Sequence, residues 1–151
     1  MYYIDDYTVD YPDPKDYKKL VKLDHRCFKY DRLTESMINQ YRNTFHVFKT
    51  KGLKLIAVSD PQIIGFYFWE KQGKKAYLGS LDVDKKFRGQ GWSRKMMKHY
   101  FHQTNDIDHH LLHVRSDNMV AINLYISLGY KFKKYCKSHY SDGGDAWIME
   151  M

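Results

Sequence analysis

Between Val83 and Ser93 the chain reads Val-Asp-Lys-Lys-Phe-Arg-Gly-Gln-Gly-Trp-Ser, and no other stretch constrains the fold as tightly. A β-rich run, Ala76 to Val83, enters it. The helical spacing of Met96, Met97, Tyr100 and Phe101 leaves it, so the turn joins a strand to a helix. Gly89 and Gly91 let the backbone curl until successive N–H groups point into one concavity. The helix N-terminus adds partial positive charge, and Lys86, Arg88 and Arg94 add full charges, a setting that suits a pyrophosphate. A loop that merely needs two glycines would look similar. The segment is not a Walker A loop, because no Gly-Lys-Ser/Thr follows. Nor is it the dinucleotide fingerprint, which follows the first strand of a parallel unit.

The periodicities on either side supply the element order. Tyr2 to Val9 reads as an opening strand. Beyond Pro12 and Pro14, Tyr17, Leu20, Val21, Asp24, Cys27 and Phe28 recur at helical spacing, and Thr34 can cap a short helix carrying Met37, Ile38, Tyr41 and Phe45. Leu53 to Ser59, Ile63 to Glu70 and Ala76 to Val83 are strand-like runs parted by Asp60-Pro61-Gln62 and Gln72-Gly73-Lys74, a meander. After the third helix, His109 to Arg115 is a short strand. Asn118 to Leu128 is a helix with Val120, Ala121, Leu124, Tyr125 and Leu128 on one face, stopped by Gly129. Lys131 to Ser138 and Ala146 to Met151 form a closing hairpin around Asp142-Gly143-Gly144. The predicted order is β-α-α-β-β-β-α-β-α-β-β, an α+β domain on a mixed sheet, with residues 1–151 as one domain.

Composition narrows the function classes. With 151 residues, 43% of them hydrophobic, the chain can bury a core that needs neither disulfides nor metal. A charged fraction of 28% and three prolines exclude a disordered or collagen-like chain. The longest apolar run, Ile63 to Trp69, falls far short of the roughly 20 residues that span a bilayer. Met1 to Asp10 holds three acidic residues and no basic one, unlike a leader peptide. Two cysteines make no disulfide framework, so a soluble protein of the reducing cytoplasm, without a membrane partner, is expected.

The net charge of +7 invites an RNA reading, yet Lys85, Lys86, Arg88, Arg94, Lys95 and Lys98 gather at the glycine turn. Charge placed there suits a phosphorylated small molecule equally well. Asp5, Asp6, Asp10, Asp13 and Asp16 make the N-terminal arm acidic. Of His99, His102, His109, His110 and His113, only His109 and His113 share a strand face. With no cysteine expected nearby, no metal is expected. Lys131, Lys133, Lys134 and Lys137 fit a solvated strand edge, where charge discourages pairing.

Arg88-Gly89-Gln90-Gly91-Trp92-Ser93 resembles the (Arg/Gln)-x-x-Gly-x-(Gly/Ala) motif of the GNAT superfamily of N-acetyltransferases, with Ser93 at the last small position. Leu112 to Tyr125, followed by Leu128-Gly129-Tyr130, resembles the superfamily's second signature: a strand, a polar turn, Asn-x-x-Ala-x-x-Leu-Tyr and a Gly-aromatic pair. The tail from His139 to Met149 is similar to the Tyr-x-Asp-Gly-Glu-Asp-Ala-x-x-Met segment of the protein N-terminal and ribosomal-protein alanine acetyltransferases. Gly144 replaces the usual Glu there, and His139 stands where a second Tyr often sits. The resemblance implies a mixed sheet with helices on both faces and direct acetyl transfer from acetyl-CoA to an amine, with no metal. It implies that the backbone of Leu81, Asp82 and Val83 holds the pantetheine arm, with an N–H near Val83 facing the developing oxyanion. Arg88, Gly89, Gln90, Gly91, Trp92 and Ser93 would bind the cofactor's phosphates, and Asn118 its pantetheine arm, though a plain helix N-cap also accounts for Asn118.

Tyr125 would protonate or hydrogen-bond the leaving sulfur, since a phenol of pKa about 10 lies close to a thiol near 8.5. A core tyrosine is the plainer account. Three residues compete as base by resemblance: His113 in mid-strand, Tyr77 on the preceding strand, and Glu35, whose Leu33-Thr34-Glu35 resembles a Leu-Pro-Glu loop. A satisfied core histidine, a strand aromatic and a helix-start glutamate are their ordinary alternatives. His113 ranks first. Tyr140, His139 and Glu35 would contact the acceptor. At neutral pH roughly a tenth of an α-amine is unprotonated against about one lysine in a few thousand, so a modest base suits a protein or peptide N-terminus. A small amine of aminoglycoside or polyamine type, or a CoA- or RNA-binding module without catalysis, are the alternatives. Nucleic acid is not the expected partner.

Overall fold

Along a strand successive side chains point to opposite faces, and where both neighbours are large and apolar the sheet must be covered on both sides. Phe66 and Phe68 face one way and Tyr67 between them faces the other, all buried. The computed structural model describes residues 7–27, 32–51 and 61–151. Its seven strands are β1 (Tyr7–Asp10), β2 (Phe45–Thr50), β3 (Ile63–Gln72), β4 (Lys75–Val83), β5 (His109–Arg115), β6 (Lys131–Cys136) and β7 (Ala146–Glu150). They form one sheet in the order β1-β2-β3-β4-β5-β7-β6. Its helices are α1 (Tyr17–Cys27), α2 (Glu35–Gln40), α3 (Trp92–Gln103) and α4 (Met119–Ser127). The element order is the predicted one, an α+β fold on a mixed sheet.

Each face has its own core. Leu20 and Leu23 of α1 and Ile38 of α2 pack with Leu33 on Phe45, Val47, Phe66 and Phe68. Phe45 stacks on Phe66 and Phe68 with ring centroids 4.9 and 5.5 Å apart. On the other face Trp92, Met96, Met97 and Tyr100 of α3 and Ile122 and Tyr125 of α4 cover Phe48, Tyr67, Leu78, Leu112 and Met149. Helices therefore lie on both faces, as the resemblance implies.

Among the described residues only the β4–β5 pair is parallel, and it is short, running from Lys75 opposite His109 to Leu78 opposite Leu112. Beyond Leu78 the strands part. The cause lies on the other edge of β4: Phe68 pairs with Ser80 and Trp69 with Leu78, so Gly79 is an extra, bulged residue. A bulge bends its strand and adds twist. The Phe68 ring lies over Gly79 so closely that an added Cβ would overlap it.

Two expectations change. Phe45 was expected in the second helix, but α2 ends at Tyr41, a 3-10 turn over Arg42–Thr44 intervenes, and Phe45 opens β2. The spacing from Tyr41 to Phe45 fits a helix, yet burial between Phe66 and Phe68 holds Phe45 in the sheet. The strand beside β3 is thus Phe45–Thr50, and the expected strand Leu53 to Ser59 lies outside the described residues. Val120, expected on the buried face of α4, is 86% exposed. Of the expected strand Tyr2 to Val9, residues 2–6 also lie outside the description, and the rest falls in β1.

Gly79→Ala should force the Phe68 ring out of the core under α1 and α2. A loss of about 1–3 kcal/mol is expected from overpacking of this kind. Urea unfolding checks it, and an unchanged midpoint would mean that the ring is free to move.

Candidate active site

On one side of the split the glycine turn shapes a groove. Asp84 starts a 3-10 turn over Lys85–Phe87 by accepting from Lys86 N, and the chain then enters α3 through Gly89 and Gly91, with φ of +75° and +82°. Both angles lie in the left-handed region that glycine adopts without strain. Among the described residues no side chain caps α3, so its first N–H groups face the groove mouth with a positive dipole end behind them. The groove, about 570 Å³, is lined by Leu81, Asp82 and Val83 of β4, by Arg88, Gly89, Gly91, Trp92, Ser93 and Arg94, and by Asn118, Val120, Ala121, Leu124 and Tyr125. Arg88 is steadied by donating its Nε–H to Val83 O at 3.1 Å, and Arg94 donates to Ser127 Oγ at 3.0 Å, tying α3 to α4. Cations at one end and an apolar wall of Val120, Ala121 and Leu124 along the side suit a phosphate-tailed ligand with a slender arm. They also explain why Val120 is exposed.

On the other side lies a narrower cavity of about 190 Å³, reached by Asp24, Leu33, Met37, Gly79, Ser80, His113, Arg115 and Tyr140. The two hollows meet at Leu81, Asn118, Ala121 and Tyr125. Tyr125 is buried, and burial, with Asp82 and Tyr140 adding to it, pushes its phenol well above the ordinary value, so it holds its proton. His113 is pushed the opposite way, to about 4, by burial first and by neighbouring His139 second, so it is neutral at physiological pH. Its Nε2 lies 3.1 Å from Tyr77 Oη, and its ring stacks on His139 with centroids 4.4 Å apart. The β6–β7 hairpin closes the cavity: Arg115 makes a bidentate pair with Asp142 at 3.1 and 3.2 Å, and its guanidinium lies 4.2 Å from the Tyr140 ring. A side chain at Gly144, where the similar segments carry Glu, would collide with Arg115.

Two buried carboxyls lie where the hollows adjoin. Asp82 accepts from Ser80 Oγ at 2.6 Å, and Asp24 of α1 accepts from Leu33 N at 2.7 Å. Asp82 Oδ2 is buried without a hydrogen-bond partner among the described residues, and the Asp24 carboxyl lies near it. Burial, then Asp24, raise the Asp82 pKa well above the carboxylate range, against the opposing effects of Ser80 and Arg88.

The structure thus gathers most of the sequence-predicted residues. Leu81, Asp82, Val83, Arg88, Gly89, Gly91, Trp92, Ser93 and Asn118 line the groove, and His113 and Tyr140 the cavity, with Tyr125 between. Asn118 also caps α4 by accepting from Ala121 N at 3.2 Å, the plainer role. The Asp82 side chain is turned away toward Asp24 and Ser80. Gln90 is exposed and does not line the groove. Glu35 is exposed at the first turn of α2, while Leu33 and Met37 beside it line the cavity. Tyr77 stands behind His113, and His139 covers it. Asp24, Gly79, Ser80, Arg115 and Cys136 were not singled out by sequence. An acid buried on the apolar face of α1 was the one signal available for Asp24. The expectation that no cysteine lies near the histidines is overturned: Cys136 comes within 4.8 Å of His113 and His139, ligand atom to ligand atom. The reason is that β7 pairs with both β5 and β6, so residues 113 and 136 meet across one strand.

The chain belongs to the acetyltransferase (GNAT) family, whose model matches residues 17–130. It is an enzyme, an N-acetyltransferase that draws on acetyl-CoA. A protein described as an uncharacterized N-acetyltransferase from Methanocaldococcus jannaschii is 26% identical over 141 residues, covering 89% of this chain and 85% of that one. Among solved structures, Ard1 from Thermoplasma volcanium superposes with a TM-score of 0.82 at 22% identity, covering 96% of both chains. The ribosomal-protein-S18-alanine N-acetyltransferase from Escherichia coli superposes with a TM-score of 0.75 at 22% identity, covering 96% of this chain and 92% of that one. No helix among the described residues is long and apolar enough to cross a membrane.

The carboxyl pair has a pH signature. A carboxyl whose folded pKa is raised stabilises below its unfolded value of about 3.9, and that contribution is lost as pH rises through the folded value. The lowered pKa values of His46 and His113 act in the opposite sense, so the Asp82 contribution is read as a difference between two proteins. The wild type should lose stability relative to Asp82→Asn, which cannot ionise, as pH rises from mildly acid to alkaline, and urea midpoints of both across the range would read it. Parallel slopes would refute the raised Asp82 pKa.

Proposed function

We propose that the acceptor is the α-amine of a protein or peptide N-terminus, entering the narrow cavity past Tyr140 to reach the split beside Tyr125. The observation that carries this reading is Tyr140 held by the Arg115–Asp142 pair at a cavity of about 190 Å³ that runs to His113. A slender chain end suits such a passage better than a multi-ring amine. The names of the neighbouring Ard1 and S18-alanine N-acetyltransferase structures agree with it.

The groove residues fit acetyl-CoA by their chemistry: Arg88 and the curled N–H groups at Gly89 and Gly91 would take its phosphates, and Val120, Ala121 and Leu124 would flank its arm. When bound, acetyl-CoA supplies a thioester carbonyl to the amine and leaves as a thiol. Tyr125 Oη holds the proton that the departing sulfur needs. Neutral His113 accepts the proton that the amine nitrogen loses, directly or through water. Delivering a proton from a free ammonium to a histidine of pKa about 4 is uphill by roughly 5 kcal/mol for an α-amine and 9 kcal/mol for a lysine. So weak a base therefore selects an amine that arrives neutral, and α-amines do so far more often. Tyr77 orients the histidine ring, and the Glu35 carboxylate, exposed beside Leu33, meets the acceptor at the cavity rim.

CoA release over short peptides of varied first residue, beside N-blocked lysine peptides and small amines, tests the acceptor class. Turnover confined to free N-termini is expected, and turnover only with lysines or small amines would overturn it. Tyr125→Phe should lower kcat roughly a hundredfold or more while leaving acetyl-CoA affinity in place. A kcat within a few fold of wild type would remove Tyr125 from the role of acid.

A further inference from the structure

We propose that His113, Cys136 and His139 bind a thiophilic divalent cation of the zinc type, and that its occupancy shuts off acetyl transfer. One ligand atom from each residue lies within 4.8 Å of the other two. Zinc bound by sulfur at about 2.3 Å and nitrogen at about 2.0–2.1 Å brings its ligands roughly 3.4–3.6 Å apart, so the cluster needs to close by about 1 Å. Two imidazoles and a thiolate are the donors that zinc selects, and with no carboxylate in the cluster it offers nothing to magnesium or calcium.

The supports of the three ligands point the same way. His113 sits in the middle of β5 and Cys136 ends β6, so both rest on the sheet. His139 reaches them because Ser138 adopts φ of +53°, the one non-glycine residue with positive φ among the described residues. Asp145 holds that turn by accepting from Ser138 N at 2.8 Å and, through the same side chain, from Tyr135 Oη. A backbone strained into this region persists where its surroundings hold it there. Here it brings an exposed histidine flat onto a half-buried one, 4.4 Å away, beside a thiol. Tyr77 Oη, 3.1 Å from His113 Nε2, is an outer partner that fixes the ring. Three protein ligands leave a fourth position open, on a cluster whose His113 lines the acceptor cavity.

Binding displaces the Cys136 thiol proton to solvent as the thiolate takes the metal. The metal-binding half of the proposal stands on the geometry alone. The inhibitory half rests on the proton-accepting role given to His113 above, because a metallated imidazole can no longer accept a proton.

Titration of tag-free protein with Co²⁺, without acetyl-CoA, should give one equivalent of a tetrahedral species with a thiolate-to-cobalt charge-transfer band. Cys136→Ser and His139→Ala should each abolish the band, while Cys27→Ser, at the chain's other cysteine, should leave it. Zn²⁺ should compete for the same site. Cys136→Ser should weaken Zn²⁺ binding beyond the roughly 10–100-fold cost of losing an outer partner. In turnover, Zn²⁺ should inhibit the wild type reversibly by chelator, and Cys136→Ser should keep wild-type turnover without zinc and lose the sensitivity. No stoichiometric binding, or binding indifferent to Cys136→Ser, overturns the site. Binding that needs Cys136 but does not inhibit overturns the inhibitory half, and with it the role of His113, while the site stands.

Discussion

The Phe68 ring resting on Gly79 is the contact on which the working half of the molecule depends. One glycine in excess on β4 bends that strand away from β5 after Leu78, and a parallel pair that would have continued is cut short. Among the described residues, the split leaves Gly79 to Val83 with β3 on one side and no strand on the other. It also lets α4 bring Asn118, Ala121 and Tyr125 to the gap, so a groove from one face and a cavity from the other meet there. A continuous sheet would have separated them. The bulge is sustained by packing rather than by hydrogen bonds: Phe68 stacks with Phe45 and Tyr41, and these seal the core under α1 and α2.

The helices beneath that core meet the split at two carboxyls. Asp24 reaches from α1 to the Leu33 N–H, 2.7 Å away, and its carboxyl lies near that of Asp82 on β4, so the segment leading into α2 is tied to α1 beside the strand that borders the groove. A hydrophobic pair there would pack as well but would leave the Leu33 N–H without a buried acceptor, a loss comparable with a missing hydrogen bond. At the far wall the hairpin is arranged differently, by charge near the surface. The Arg115–Asp142 pair, each side chain about a quarter exposed to solvent, counts for little in stability. Its effect is to hold Tyr140 in one orientation.

Elements repeated along the chain were legible, and contacts across it were not. The two signature segments placed the groove, because glycine at positive φ and a capping asparagine are local requirements written at their own positions. The edge strand of lysines and the helix stop at Gly129 were legible for the same reason. Phe45 was misassigned because a helical spacing to Tyr41 coincides with a strand position whose burial between two phenylalanines only the sheet reveals. Val120 broke the burial pattern because a groove wall is apolar and exposed at once. Asp24 was invisible as a site residue, since Asp82 stands 58 positions away and nears it only through helix packing. Cys136 has His139 three positions on, but His113 stands 23 positions away and joins them only through strand pairing.

Acid and base in the proposed roles are separated by the same split that creates the site. Tyr125 lies wholly inside, beside a buried aspartyl pair, and its environment makes ionisation costly. His113 lies half inside on the neighbouring strand, where burial and a second imidazole make the cationic form costly instead. The two environments push in opposite directions, so at neutral pH the phenol keeps its proton and the imidazole keeps one nitrogen free to accept one, which is the pairing that an acid and a base require. Burial and the stacked His139 imidazole keep His113 a weak base, and the same His139, with Cys136, completes the proposed metal cluster. A stronger base would need His139 moved away, and His139 also packs edge-on against Tyr140, which lines the cavity.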